Sequence, residues 1–278
     1  MQAIIDSLRL YPVKGCRGFE VARATLAETG LEVSGVGDRE WVVVDDNDEF
    51  LSQREAPAMA LIETRLTADS LRIRAPGMLQ LDVPFETEGE VVSARIWNDQ
   101  VAAVMQGAIA DAWFSQFLGL RCRLLRFDPE TRRLSNQTYT GAAAPYKFAD
   151  AFALLICSVA SLADLNSRLL AKGKSAVTLD RFRPNIVLDG VTAFEEDYID
   201  HLTIGEAQVR VVKPCIRCAV PNVDPMTGIA GAEPGITLAE YRNRPELGGV
   251  IFGVNSIIAT GAGSCVSAHD AVTLSLRF

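Results

Sequence analysis

Residues 70–77, SLRIRAPG, set Leu71 and Ile73 at alternate positions with Arg72 and Arg74 between them, which is the period of a strand with one buried and one wetted face. Similar runs follow one another through the first part of the chain. EWVVVDD (40–46), LQLDVPF (79–85) and VVSARIWNDQVAAV (91–104) are rich in β-branched residues and are closed by Asp, Asn, Pro or Gly. Short strands punctuated by turn residues pack as an antiparallel barrel or sandwich. One helix is expected after them, in GAIADAWFSQFLGL (107–120), where Ile109, Trp113, Phe114, Phe117 and Leu118 recur at helical spacing and Gly119 stands near the end. The polar, small-residue stretch DPETRRLSNQTYTGAAAP (128–145) then reads as a linker or long loop. Two domains are therefore expected, residues 1–125 and 126–278.

The second part is again mainly β with few helices. AFALLIC reads as a buried strand, and SVASLADLNSRLLAKGK as an amphipathic helix capped by Ser158 or Ser161, with Leu162, Leu165 and Leu169 inward and Gly173 ending it. NIVLDG, HLTIGEAQVRVVKP, VIFGVNSIIAT and AVTLSLRF are strand-like, and ITLAEYRNR suits a short helix.

Composition narrows the function. A chain of 278 residues builds a core without staples, so its six cysteines need another reason than small size. Their scatter suits reduced thiols and a cytoplasmic setting rather than a secreted disulfide framework. No apolar run is long enough to span a bilayer, and the start lacks the basic-then-apolar order of a signal peptide, so no membrane association is expected. A net charge of −8 argues against nucleic acid as a partner, because that affinity comes from Lys and Arg meeting phosphates. Basic residues do stand at suggestive places: Lys14 and Arg17 in YPVKGCRG, Arg39 in GDREW, Arg181 and Arg183 in LDRFRPN, and Arg217 between two cysteines.

Those cysteines, Cys215 and Cys218 in VVKPCIRCAVPNVDP, admit four readings. A structural zinc site needs four Cys or His ligands, usually in two close pairs, and only one pair is present. A thioredoxin-like dithiol wants its first thiol at a helix N-terminus, whereas this pair follows a strand and precedes a proline-bounded turn. Two cysteines also pack as small hydrophobes. In the fourth reading one thiolate holds a soft metal that brings its other ligands with it in a prosthetic group, and nearby basic side chains cradle the anionic part of that group.

YPVKGCRG, GDREWVVVD, SLADLNSRL, RFRPNIVLDG, CIRCAVPNVDPMTG and IFGVN, taken in order, resemble the MOSC-domain family. The similarity is to its two-domain members, the amidoxime-reducing components and YcbX-type proteins, in which a β-barrel domain precedes the MOSC domain. This resemblance implies a mainly β fold of two barrel-like domains with a cofactor cleft between them. It implies a molybdenum cofactor, a phosphate-bearing pterin dithiolene, rather than pyridoxal phosphate, with Cys218 rather than Cys215 as the sulfur on the metal. Lys14, Gly15, Arg39, Arg183 and Asn185 match family positions that hold the phosphate and pterin. Arg217 lies beside the ligand, and Asp150 matches an acidic position near the metal, a candidate for proton handling. The implied activity is reduction of N-hydroxylated or N-oxygenated compounds by oxygen removal at molybdenum. The chain has no four-cysteine iron–sulfur run, so a separate donor such as a ferredoxin, flavodoxin or reductase is expected to supply the electrons. A persulfide carrier working through Cys215 or Cys218, and a cofactor-binding protein without turnover, are the alternatives. Two departures stand out: Gly15 replaces a frequent Ser, and VSAHDAV replaces the usual turn of the last hairpin.

Overall fold

The computed structural model describes residues 1–86 and 88–277; Phe278, which ends the strand-like AVTLSLRF, lies outside the described residues. Its centre is a closed barrel of seven strands: β1 (Gln2–Leu10), β2 (Leu154–Ser158), β3 (Ile186–Asp189), β4 (Ile199–Ile204), β5 (Ala207–Ile216), β6 (Gly249–Thr260) and β7 (Ala271–Leu276). The order around the barrel is β2–β3–β1–β7–β4–β5–β6, and β6 pairs back onto β2 to close it. All pairings are antiparallel except β2 with β3. The staves alternate as strands with one buried face must: Ile5, Leu8, Leu10, Ile156, Leu188, Val209 and Val254 fill the interior. One stave, β1, comes from the opposite end of the sequence to the other six and sits between β3 and β7.

The residues between β1 and β2 build the other half. One sheet joins Val91–Ile96, Asp99–Met105, Cys122–Phe127 and Trp41–Asp45, and a meander joins Glu63–Leu66, Ser70–Arg74 and Leu81–Pro84. In the meander Leu71 and Ile73 are fully buried while Arg74 is exposed, as the alternation requires. Helix α1 (Ala108–Leu118) buries Ala110, Trp113 and Phe114 against Trp41, Met59 and Ile62, and ends on Gly119 in the left-handed conformation. Ile109 shares the helical spacing but points outward, because the buried stripe is centred on Trp113 and Phe114.

The stretch expected to be a linker has a structural role. It carries the short helix α2 (Gln137–Thr140), and Arg133 within it is buried, donating from Nη1 to the carbonyls of Lys147 at 3.0 Å and Ala149 at 2.8 Å. Ser135 Oγ donates to Ala151 O at 2.8 Å, so the segment around Asp150 is held on both sides. Helix α3 (Val159–Ala171) starts at Ser158, whose hydroxyl accepts from Ser161 N, and it buries Leu165 and Leu169, with Leu162 half-buried. Helix α4 (Gly235–Arg242) packs beside it. The two halves of VSAHDAV do not form a hairpin: Cys265–Ser267 pairs with Arg23–Ala27, and the residues from Ala271 onward enter the barrel. Among the described residues no helix is long and apolar enough to cross a membrane.

Candidate functional site

A cleft of about 250 Å³ opens where the barrel meets the N-terminal half. Its lining includes Lys14, Gly15, Arg39, Asp150, Arg183, Asn185, Cys215, Arg217 and Cys218, so residues far apart in sequence share one cleft. Arg17 and Arg181 lie elsewhere, paired with Glu63 and Asp224. Two elements bring basic groups that the sequence reading missed. Arg54 stands in the loop after Trp41–Asp45, Lys213 lies on β5, and Ser52 and Gln53 precede Arg54 on the same loop. The lining thus holds six Lys or Arg side chains and one carboxylate, Asp150, in a chain whose net charge is −8. A concave surface of that sign selects anions.

Lys14 is placed by its own backbone, whose N–H donates to Trp41 O at 2.8 Å just beyond the end of β1. Its ammonium sits 2.5 Å from Asp150 Oδ1 and 4.9 Å from the centre of the Phe50 ring. Burial pushes the Lys14 pKa down, and the ion pair with Asp150 only partly counters this. For Asp150, enclosure would raise the carboxyl, but Lys14 outweighs it, and Trp97 Nε1 adds a hydrogen bond of 3.1 Å to the same oxygen. The net result holds Asp150 well below the usual carboxylate range, so it stands ionised and accepts rather than donates. Gly15 follows with φ of +83°, and a Cβ there would lie 2.8 Å from Met59 Cε, which accounts for glycine at this turn.

Arg39 and Arg183 both lie over Tyr11, their guanidinium carbons 4.5 and 4.4 Å from its ring centre. Both are non-glycine residues with positive φ, +48° and +61°, the kind of backbone that persists only where surrounding contacts enforce it. Arg39 is tied to Asp38, to Asn185 Oδ1 at 3.2 Å and to Arg183 O at 2.9 Å. Asn185 is fully occupied too: Oδ1 also accepts from Leu155 N at 3.1 Å, and Nδ2 donates to Arg9 O at 3.3 Å. It fixes the strand ends and Arg39. Arg183 differs, because Nη1 donates to Cys16 O at 2.5 Å while Nη2 is buried without a partner. Burial and the like charge of Arg39 push its pKa down to about 10.

Cys215 lies at the end of β5, and Cys218 is exposed just beyond. Arg217 between them turns inward, donating from Nη1 to Cys215 Sγ at 3.2 Å and from Nη2 to Phe182 O at 3.0 Å, and leaving Nε buried and unpaired. Among the described residues no group of three or more His, Cys, Asp or Glu side chains is arranged to hold a metal ion. Thiols beside a basic cradle therefore suit a group that carries its own metal ligands and its own negative charge. Buried donors left open on Arg183 and Arg217 fit such an anion, since each unpaired donor costs about 1–3 kcal/mol until it is satisfied.

The comparisons with known proteins agree along most of the chain. Residues 2–121 match the MOSC N-terminal beta barrel domain, and residues 143–273 match the MOSC domain. Mitochondrial amidoxime reducing component 2 of Bos taurus is 35% identical over 245 residues, covering 86% of this chain and 72% of its own. Mitochondrial amidoxime-reducing component 1 of Homo sapiens is 33% identical over the same length and coverage. Molybdenum cofactor sulfurase of Danio rerio is 32% identical over 267 residues, 90% of this chain but 31% of that longer protein. The chain belongs to the MOSC-domain family, as a member carrying the N-terminal beta barrel domain ahead of the MOSC domain.

Proposed function

We propose that the cleft holds a molybdenum–pterin cofactor and that the protein reduces N-hydroxylated compounds. The observation that carries this reading is the pair of buried, unpaired guanidinium donors, Arg183 Nη2 and Arg217 Nε, in a basic cleft that ends at the exposed Cys218. The names of the relatives, amidoxime reducing components and molybdenum cofactor sulfurases, point the same way. Arg183, Arg39 and Lys14 would meet the phosphate and pterin, and the Cys218 thiolate would meet the metal. When bound, the cofactor supplies two-electron chemistry that removes oxygen from nitrogen.

The chain's own residues do the rest. Cleavage of the N–O bond of a hydroxylamine consumes two electrons and two protons and releases water. Electrons come from a separate donor protein. Lys14 Nζ carries a proton at the cleft floor with its pKa lowered by burial, and the ionised Asp150, 2.5 Å away, holds that ammonium in place. Asn185 and Arg133 act by position, one fixing Arg39 and the other the backbone that bears Asp150. All six cysteines are free thiols, which suits the proposed cytoplasmic setting.

The test is to purify the protein from a host that makes the cofactor, measure molybdenum per chain, and assay reduction of benzamidoxime with reduced methyl viologen. Near-stoichiometric molybdenum and turnover are expected. Labile sulfane sulfur without molybdenum would transfer the cysteines to a persulfide-carrier role, and molybdenum without turnover would leave a cofactor-binding protein.

A further inference from the structure

We propose that Trp97 is the substrate-positioning residue of the cleft, selecting planar, conjugated N-hydroxylated compounds whose N–H or O–H groups reach Asp150. The proposal rests on the reductase reading and adds which substrates the site prefers. Beside the cleft lies a second, more open hollow of about 460 Å³ that includes Asn98, Arg133 and Tyr146 in its lining. Two residues line both hollows, Trp97 and Asp150, and together they form the partition between them. Both side chains therefore face the cleft on one side and the open hollow on the other.

The ring of Trp97 is built into that partition. Its Nε1 donates to Asp150 Oδ1, Phe50 meets it edge-on at 5.0 Å, and the Arg54 guanidinium lies 4.5 Å from its centre, yet 45% of the residue stays exposed. A large apolar ring held in place with nearly half of its residue still exposed offers a surface for stacking. Asp150 completes the recognition element. Oδ1 takes both Lys14 and Trp97, while among the described residues Oδ2 accepts from no group, which leaves a fixed, ionised acceptor beside the ring. An amidoxime or N-hydroxylated aminoheterocycle presents a flat π face and donors in its plane, so it satisfies both at once; a small aliphatic hydroxylamine offers no face to stack.

The backbone sharpens the argument. Trp97 occupies the turn between Val91–Ile96 and Asp99–Met105 with φ of +58°, a conformation that asparagine or glycine takes at less cost. A tryptophan kept there works against the turn's own preference.

The experiment compares Trp97→Leu, Trp97→Phe and Trp97→Asn in the cofactor-loaded protein, with benzamidoxime and N-methylhydroxylamine as probes. Equilibrium binding of benzamidoxime by calorimetry is measured alongside turnover. Trp97→Leu is expected to weaken benzamidoxime binding and raise its KM about five- to tenfold with little change for N-methylhydroxylamine, and Trp97→Phe is expected to restore most of the loss. Trp97→Asn is expected to melt at or above the wild-type temperature while binding benzamidoxime as poorly as Trp97→Leu. Equal effects on both probes, unchanged benzamidoxime affinity in Trp97→Leu, or affinity that simply follows melting temperature would each overturn the proposal. Failure of the reductase reading is seen separately, as a wild-type protein that turns over neither probe.

Discussion

The two walls of the cleft handle charge in opposite ways. On the N-terminal side Lys14 and Arg39 are paired, the first with Asp150 and the second with Asp38 and Asn185. On the barrel side Arg183 and Arg217 keep buried N–H groups that nothing satisfies. Paired charges stabilise a geometry, whereas an unpaired one raises the energy of the empty protein and lowers it again when an anion arrives. One wall is braced by its own ion pairs, and the other keeps donors open.

That contrast is open to direct attack. Cys218→Ala should have the largest effect, cutting molybdenum content and turnover by at least about a hundredfold while the apo protein melts normally, because Cys218 is exposed and supports no packing. Retention of full metal by this variant rejects the ligand assignment. Next, Arg183→Ala should weaken cofactor retention about tenfold or more with a modest loss of apo stability, whereas Arg39→Ala should cost the apo protein about 1–3 kcal/mol by leaving the buried Asp38 without its cation. Denaturant melts set against molybdenum content decide it, and similar behaviour in the two variants would erase the distinction between the walls. Gly15→Ala should cost about 1–2 kcal/mol of stability through its positive φ and the contact with Met59.

The smallest effect concerns another buried group of the barrel half. Glu196 is fully buried with Oε1 unpaired, and burial raises its carboxyl above the ordinary 4.5 although the Ser161 and Ser158 hydroxyls pull it down. The folded protein therefore holds a proton that the unfolded chain releases, so stability falls as pH rises above 4.5 until the folded-state carboxyl ionises. Glu196→Gln, which still accepts from both hydroxyls, should flatten that part of the slope, above pH 4.5, in thermal melts.

Much of this was legible in the sequence where one residue's neighbours are its chain neighbours. The alternation at Leu71 and Ile73, the Ser158 cap and the buried run that becomes β2 follow from local period and local hydrogen bonding. The cleft residues Lys14, Arg39, Asp150, Arg183, Asn185 and Cys218 were named from a resemblance, since no period places residue 14 beside residue 150. What local reading missed depends on distant partners. Arg133 looked like one charge in a polar linker because its acceptors are the carbonyls of residues 147 and 149 across a fold-back. Trp97 looked like one more residue in a β-branched run, and its exposure to two hollows arises only once Asp150 is carried up to it. The division of VSAHDAV between two sheets is equally invisible until Arg23–Ala27 supplies a partner.

The position of β1 in the barrel carries a last consequence, for the chain's birth rather than its chemistry. Residues 2–10 leave the ribosome long before their barrel neighbours, residues 186–189 and 271–273, so this stave waits for about 260 further residues before it can be fully seated. Until then the cleft has no floor, because Lys14 hangs from the end of that strand. Loading of any ligand into the basic cleft thus waits for residues 271–273, and a nascent chain held short of residue 271 should neither protect residues 2–10 from protease nor retain the ligand.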